Sequence, residues 1–374
     1  MDKKDRRIVC IGMGFLMEEI RDNYTGYLSE YLKDNMIATT LDEGDLERKR
    51  KTFPFEVRLG DNPGALRDME PTMILFAPPP KVAADLTESD LLPYYNECRE
   101  KGKRLPMLVV FPPVPAGRYY LETLGNDVEI LNALPNPVIR ICGKKYKGEG
   151  VNFLTFPDGA AWTDEDIEEV TEFFTPTGRP MKFSPGQTMT ALGAGAVVNP
   201  LSMFAYTIHD AWKECGCGCS DNDVAEAMRA GLEKIAGIVP KEDAPRGKIF
   251  DRDRTAFLDS TVRGFFDGLL EFLTENGFDR ETAENYLYPF GDTYLHSYMR
   301  ETRETIETKR KGQATKGGVV ELAVNLYLEK MEDYLREAAG SAYCGVIPAG
   351  HMNKVRQFAY ESAAAVKAHT SHMS

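Results

Sequence analysis

Six short apolar runs punctuate the first 140 residues: RIVCIGMG, MIATTLD, FEVRLG, TMILFAPPP, PMLVVFPPV and VEILNALPNP. Each is too short for an amphipathic helix, and several stop at Pro or Gly, as strands buried on both faces do. Helical segments, residues 15–35 and 82–101 among them, lie between some of these runs. Such alternation predicts an α/β fold, a doubly wound sheet with right-handed crossovers. From about residue 187 the texture changes, and residues 198–214, 221–238, 254–276, 280–310, 318–338 and 351–369 carry helical periodicity. The spacing predicts an α/β domain over residues 1–183 and an all-helical domain over residues 184–374.

A net charge of -13 argues against nucleic acid or an anionic membrane surface as the main partner, since both are bound through clustered Lys and Arg. The one dense basic run, Arg48 to Lys51, follows Asp42, Glu43, Asp45 and Glu47 and reads as a solvated helix face. No apolar stretch reaches the length of a membrane span or a signal segment, so the expectation is a cytoplasmic protein with reduced thiols. In ECGCGCSDND, Cys215, Cys217 and Cys219 alternate with glycines. Three thiolates suit a soft metal, but the four-ligand set of a structural zinc site is missing, and the stretch reads as a helix-ending loop with no metal.

The run IVCIGMGFLMEEI ends a strand and opens a helix, the context in which Gly-x-Gly has mechanical meaning. Gly12 allows the tight turn and Gly14 lets a pyrophosphate approach the backbone, while the third small position is the bulky Met17. Asp42, at the end of the second strand, is placed to accept from an adenosine ribose and so to favour NAD over NADP, though Arg48 or Lys49 could reverse that preference. QATKGGVVELA puts Lys316, Gly317 and Gly318 where a long apolar-periodic segment begins. Glycines and the free N–H groups of a first helical turn make an anion site there; the other reading is a solvent-facing loop lysine.

IGMGFLMEE, MILFAPPPKV, EILNALPNPV, DEDIEEVTEFFTPTGRP, MTALGAGAVVNP and ATKGGVVELAVNLYLEK, taken in order, resemble pyrroline-5-carboxylate reductase, within the group of Rossmann reductases that carry a helical dimerisation domain. The resemblance implies a homodimer formed through the helical domain, NAD or NADP as cofactor, and hydride transfer to or from a small anionic imine, amino acid or oxo acid. It places Gly12, Met13, Gly14, Phe15, Leu16, Asp42, Ala77, Pro78 and Asn136 at the cofactor, and Lys316, Gly317 and Gly318 at the substrate anion. Gly193 to Ala196 match the opening of the first helix of the second domain, and Asn199 stands one turn on as a catalytic candidate. The family's loop carries two threonines where this chain has Val319 and Val320, which argues against efficient pyrroline-5-carboxylate reduction. Residues from about 240 to 312 have no counterpart in the minimal family pattern. They bring Tyr294, His296, Tyr298 and Arg300 close together, with His296 a candidate proton donor and His209 with Asp210 a weaker one. The alternative is a ligand-binding or regulatory protein on the same scaffold that has lost hydride transfer.

Overall fold

The computed structural model describes residues 6–14, 17, 32–134, 151–175, 179–237, 250–297, 302–314 and 317–373. The chain forms two compact units, one running to Thr188 and the other spanning Met189–His372. In chain order the first contains β1 (Ile8–Ile11), β2 (Met36–Thr40), α1 (Glu43–Thr52), β3 (Glu56–Leu59), α2 (Asn62–Met69), β4 (Met73–Phe76), α3 (Pro80–Leu86), α4 (Leu92–Glu100), β5 (Met107–Val110), α5 (Gly117–Leu124), β6 (Ile130–Leu134), β7 (Val151–Thr155), α6 (Asp164–Phe174) and β8 (Arg179–Lys182). A single π-helical turn, Thr87–Leu91, joins α3 to α4.

The strand order is β3-β2-β1-β4-β5-β6-β7-β8. Every described pairing is parallel except β6 with β7. Alternation along β1 shows why the runs read as continuously apolar: Ile8 and Cys10 enter the core on one face of the sheet, Val9 and Ile11 the core on the other. Six strands follow the apolar runs of the sequence, and β7 and β8 add two more. The β8 segment, RPMK, has no apolar period and contains Pro180. It ends the sheet, where a strand tolerates a residue without an N–H.

A charged cluster lies where β5 and β6 begin. Arg104 donates to Asp166 at 2.6 Å, and Arg6 pairs with Glu169 at 3.0 Å. Burial, and then the neighbouring Asp166 carboxylate, push the Glu129 carboxyl up to about 8. Burial opposes ionisation of Asp166 too, but hydrogen bonds from Glu129, Thr163 and Arg104 outweigh it and hold that carboxyl below its usual range. Glu129 therefore acts as the protonated partner of a carboxyl–carboxylate pair. A folded-state pKa raised above the unfolded value gives stability that is complete below about pH 4.5 and is lost as the pH rises through about 8. Glu129→Gln, which keeps a donor towards Asp166 without titrating, is expected to flatten this decline. Melting curves between pH 5 and 9 check it, and parallel profiles for the two proteins would remove the assignment.

The second unit contains α7 (Pro185–Val198, entering from the first), α8 (Leu201–Glu214), α9 (Asp221–Ile235), α10 (Arg252–Glu275), α11 (Arg280–Ser297), α12 (Arg303–Gln313), α13 (Val319–Lys330), α14 (Glu332–Tyr343) and α15 (His351–Met373). The stretch expected as one helix over residues 280–310 is two, and so is residues 318–338, which break at Met331. Helix α7 starts at Pro185 and not at Gly193. Ser184 and Gln187 form a reciprocal cap, each bonding the other's backbone N–H, with Pro at the first helical position. Gly193 and Gly195 sit inside that helix because a Cβ there would lie 2.9 Å from the Ala363 carbonyl oxygen and 2.1 Å from the Tyr286 hydroxyl.

The described part of the stretch from about 240 to 312 is not peripheral. In α10, Phe257, Val262, Phe265, Phe266 and Leu269 are completely buried. Gly264 and Gly268 let the backbone carbonyls of Met352 and Arg356 approach within 2.4 and 2.2 Å of where a Cβ would stand. The apolar stripe of α13 and α14 is largely used inside the unit: Ala323, Val324, Tyr327, Leu335 and Ala338 are buried, and Leu328 is exposed.

Candidate functional site

Strand β1 pairs with β2 on one side and β4 on the other, and the chain runs on from β1 to β2 but from β4 to β5, so the connections after these two neighbouring strands go in opposite directions. In open α/β sheets ligands bind at this switch point. Here the chain turns at Gly12, whose φ is +94°. A Cβ on Gly12 would lie 2.6 Å from the Ala77 carbonyl oxygen and 2.8 Å from the Pro78 nitrogen, so only glycine lets β1 pass the end of β4. Gly14 is exposed and, among the described residues, has nothing within 4 Å of a built Cβ. The glycines thus do different things: Gly12 makes the turn, and Gly14 keeps open space above it.

Donors at this turn are already engaged. The N–H groups of Gly12 and Met13 both donate to the Thr39 carbonyl, at 3.2 and 2.7 Å, and that of Gly14 donates to the Gly12 carbonyl at 2.8 Å. Any further donors for an anion would come from the following turn, where Phe15 and Leu16 lie outside the described residues. Met17 is buried among Ile8, Cys10 and Met13, so its bulk is taken up by the core on one face of the sheet.

Thr39, which no sequence motif marks, positions the turn. Besides accepting from two amides, it donates through its hydroxyl to Asn62 Oδ1 at 2.6 Å, and Asn62 Nδ2 donates to Asp90 at 2.7 Å. Two threonines closing an apolar strand, MIATT, were the available signal.

Asp42 is exposed just past β2 and caps α1, its Oδ1 accepting from the Asp45 N–H at 3.2 Å. Arg48 and Lys49, the two cations expected to compete with Asp42, are held elsewhere. Arg48 grips Asp45 through two nitrogens. Lys49, expected on a solvated face, is only 3% exposed and reaches Thr40 Oγ1 at 3.2 Å and Asp45 at 3.4 Å. Ala77 and Pro78 form the wall opposite Gly12, with the Ala77 N–H on the Ile11 carbonyl at 2.8 Å. Gly12, Met13, Gly14, Asp42, Ala77 and Pro78 therefore share the carboxyl edge of the sheet, while Asn136 lies outside the described residues.

In the helical unit, Asn199 stands at the end of α7, where the chain bends at Pro200. Its Nδ2 donates to the carbonyls of Gly195 and Ala196 at 3.3 and 3.1 Å, and its Oδ1 accepts from the Tyr294 hydroxyl. That arrangement ties the end of α7 to α11. His296 lies on α11 with its side chain outside the described residues, as are Tyr298, Arg300 and Lys316.

Gly317 has a φ of +77°, and Gly318 occupies the cap position of α13 with no side-chain cap. The Gly317 N–H donates to Glu321 Oε2 at 2.6 Å. A carboxylate of the chain itself thus holds an amide that the sequence reading reserved for a ligand. His209 is buried, with Nδ1 2.7 Å from Asp221 and 3.0 Å from Asp210. These three residues could ligate a cation, but the Arg303 guanidinium spans both carboxylates at 2.8 to 3.2 Å and already supplies the positive charge.

No protein-family model and no curated protein matches the chain. Among solved structures it is similar to a Plasmodium falciparum pyrroline carboxylate reductase with NADP bound, at 12% identity over 95% of this chain and 99% of that one, TM-score 0.38. A pyrroline-5-carboxylate reductase from Coxiella burnetii is 13% identical over 94% and 98% of the two chains, TM-score 0.37. The Streptococcus pyogenes 1-pyrroline-5-carboxylate reductase is 13% identical over 72% and 97%, TM-score 0.46. The chain's own strand order and crossovers define the fold: a Rossmann-type doubly wound sheet followed by an all-helical unit.

Proposed function

We propose that the chain is a nicotinamide-dinucleotide-dependent reductase or dehydrogenase acting on a small anionic imine, amino acid or oxo acid. The observation that carries this reading is the Gly12 turn at the sheet's switch point, with open space kept at Gly14. The residues present fit a dinucleotide by shape: Gly12 and Gly14 would admit the pyrophosphate, Asp42 would accept from the adenosine ribose, and Ala77 with Pro78 would wall the pocket. When bound, the nicotinamide supplies the hydride chemistry, while the chain binds and orients. Engagement of all three amides at residues 12–14 favours a second reading, a scaffold that binds a ligand without hydride transfer.

Titration with reduced cofactor, followed by nicotinamide fluorescence, tests the proposal. NADH is expected to bind more tightly than NADPH, because Asp42 repels a 2′-phosphate and its cationic neighbours are tied to Asp45. Asp42→Ala should narrow the gap. Gly14→Val should weaken both cofactors at least about tenfold with little change in stability, since its side chain enters ligand space and not the core. No saturable binding of either cofactor sinks the proposal. Binding without turnover of any small imine or oxo acid favours the second reading.

For the substrate anion we propose Lys316 with the turn at Gly317 and Gly318. Val319 and Val320 supply no hydroxyl, so turnover of pyrroline-5-carboxylate should be poor. Lys316→Met is expected to weaken carboxylate binding by roughly ten- to a hundredfold, the worth of a charge-assisted hydrogen bond. Glu321→Gln should strengthen it by removing a competing carboxylate. Unchanged affinity in Lys316→Met would leave this lysine facing solvent.

A further inference from the structure

The glycine-spaced cysteines are not used by the function proposed above, and their surroundings differ from one another. Cys215 and Cys344 are exposed, whereas Cys217 and Cys219 are half-buried. The Cys217 sulfur lies 3.9 Å from Arg254 Nη1. That guanidinium is held in place, paired with Asp251 at 2.7 Å and stacked 4.5 Å from the centre of the Tyr343 ring. A fixed cation beside the sulfur stabilises the negative charge that the sulfur carries as it attacks an oxidant. Burial, and then the neighbouring Cys217, push the Cys219 thiol up to about 12 and keep it protonated. Gly218 between them is exposed and, among the described residues, has nothing within 4 Å of a built Cβ, so no packed neighbour stands in the way of the two flanking side chains there.

We propose that Cys217 and Cys219 form a peroxide-sensitive dithiol that closes to a disulfide across Gly218. Cys217 is the attacking sulfur: its thiolate takes the distal oxygen of hydrogen peroxide, the O–O bond breaks, and hydroxide leaves with a proton as water. Cys217 is then a sulfenic acid. The Cys219 sulfur displaces its hydroxyl, which takes up the Cys219 proton and leaves as a second water. Two thiols are oxidised by two electrons and one peroxide is reduced. A metal held by the same sulfurs is disfavoured because the nearest fixed charge to Cys217 is already positive.

The test treats the reduced full-length protein with equimolar hydrogen peroxide, blocks remaining thiols with N-ethylmaleimide and maps the peptides. The expected product is the peptide holding residues 215–219 two hydrogens lighter, blocked at Cys215 alone. Cys219→Ser should stop at a sulfenic acid on Cys217 that dimedone traps, and Cys217→Ser should abolish the reaction. Arg254→Met should slow it about three- to tenfold; if that variant fails to fold, the rate at Cys217 against those at Cys215 and Cys344 serves instead. Exposure alone predicts that Cys215 and Cys344 react first, so that order overturns the proposal. An unchanged rate in a folded Arg254→Met, or a stoichiometric metal whose removal frees these thiols, overturns it as well.

Discussion

Gly12→Ala is expected to destabilise the sheet unit by about 3–5 kcal/mol, a large share of the ~5–15 kcal/mol that holds a domain. Two effects add. A φ of +94° is strained for any residue with a Cβ. That Cβ would also stand 2.6 to 2.8 Å from three backbone atoms of Ala77 and Pro78, which cannot swing aside as a side chain can. The strands must part for the methyl group to enter, and β1 is bonded to both β2 and β4. Amide hydrogen exchange should therefore accelerate throughout β1 and β4, with α10 unaffected. Gly14→Ala is the control, because a methyl group there meets nothing within 4 Å, and its cost should stay within about 0.5 kcal/mol. Native protection of β1 in Gly12→Ala would show that the crowding is not real.

The helical unit is expected to lose on the order of 2–3 kcal/mol of stability between pH 7 and 4 through one residue, His351. It is 2% exposed, stacked 4.5 Å from Phe257, and bonded to Thr261 at 2.8 Å and Tyr334 at 3.1 Å. None of these partners is charged, and the ring opens α15, where the helix dipole opposes a cation. Burial therefore lowers its pKa from 6.5 to about 4. The folded chain resists a proton that the unfolded chain accepts. Stability from this source is complete above about pH 6.5, falls as the pH drops and is gone below about 4. The two tryptophans allow a clean reading, since Trp162 belongs to the sheet unit and Trp212, fully buried, to the helical one. In a Trp162→Phe background, urea midpoints followed by Trp212 should move down with pH, and His351→Gln should remove the slope. A slope equal in both proteins would assign the pH dependence to other groups.

Much of this protein was legible from local pattern. The six apolar runs became β1 to β6 because a parallel strand buried on both faces needs nothing more than a short apolar run with a stop. The β8 segment was not legible, since RPMK becomes a strand only by pairing with β7. The start of α7 was written in Ser184, Pro185 and Gln187, a capping signature that the glycines further along overshadowed. Lys49 looks identical in sequence to its neighbours, and only the packing of α1 beside β2 sets it against Thr40 while Arg48, Arg50 and Lys51 stay exposed.

By itself the sequence determined the order of elements, the change from sheet to helices and the turn at Gly12, because each depends on residues within a few positions of one another. Tertiary structure alone decided which glycine is crowded, that the Thr39 carbonyl takes the turn's amides, that Glu321 holds the Gly317 amide, and that the Arg303 guanidinium bridges Asp210 and Asp221. His351 gives the plainest case. Its side chain is the same wherever it stands, and its affinity for a proton was set by the loss of water when α10 and α14 closed around it.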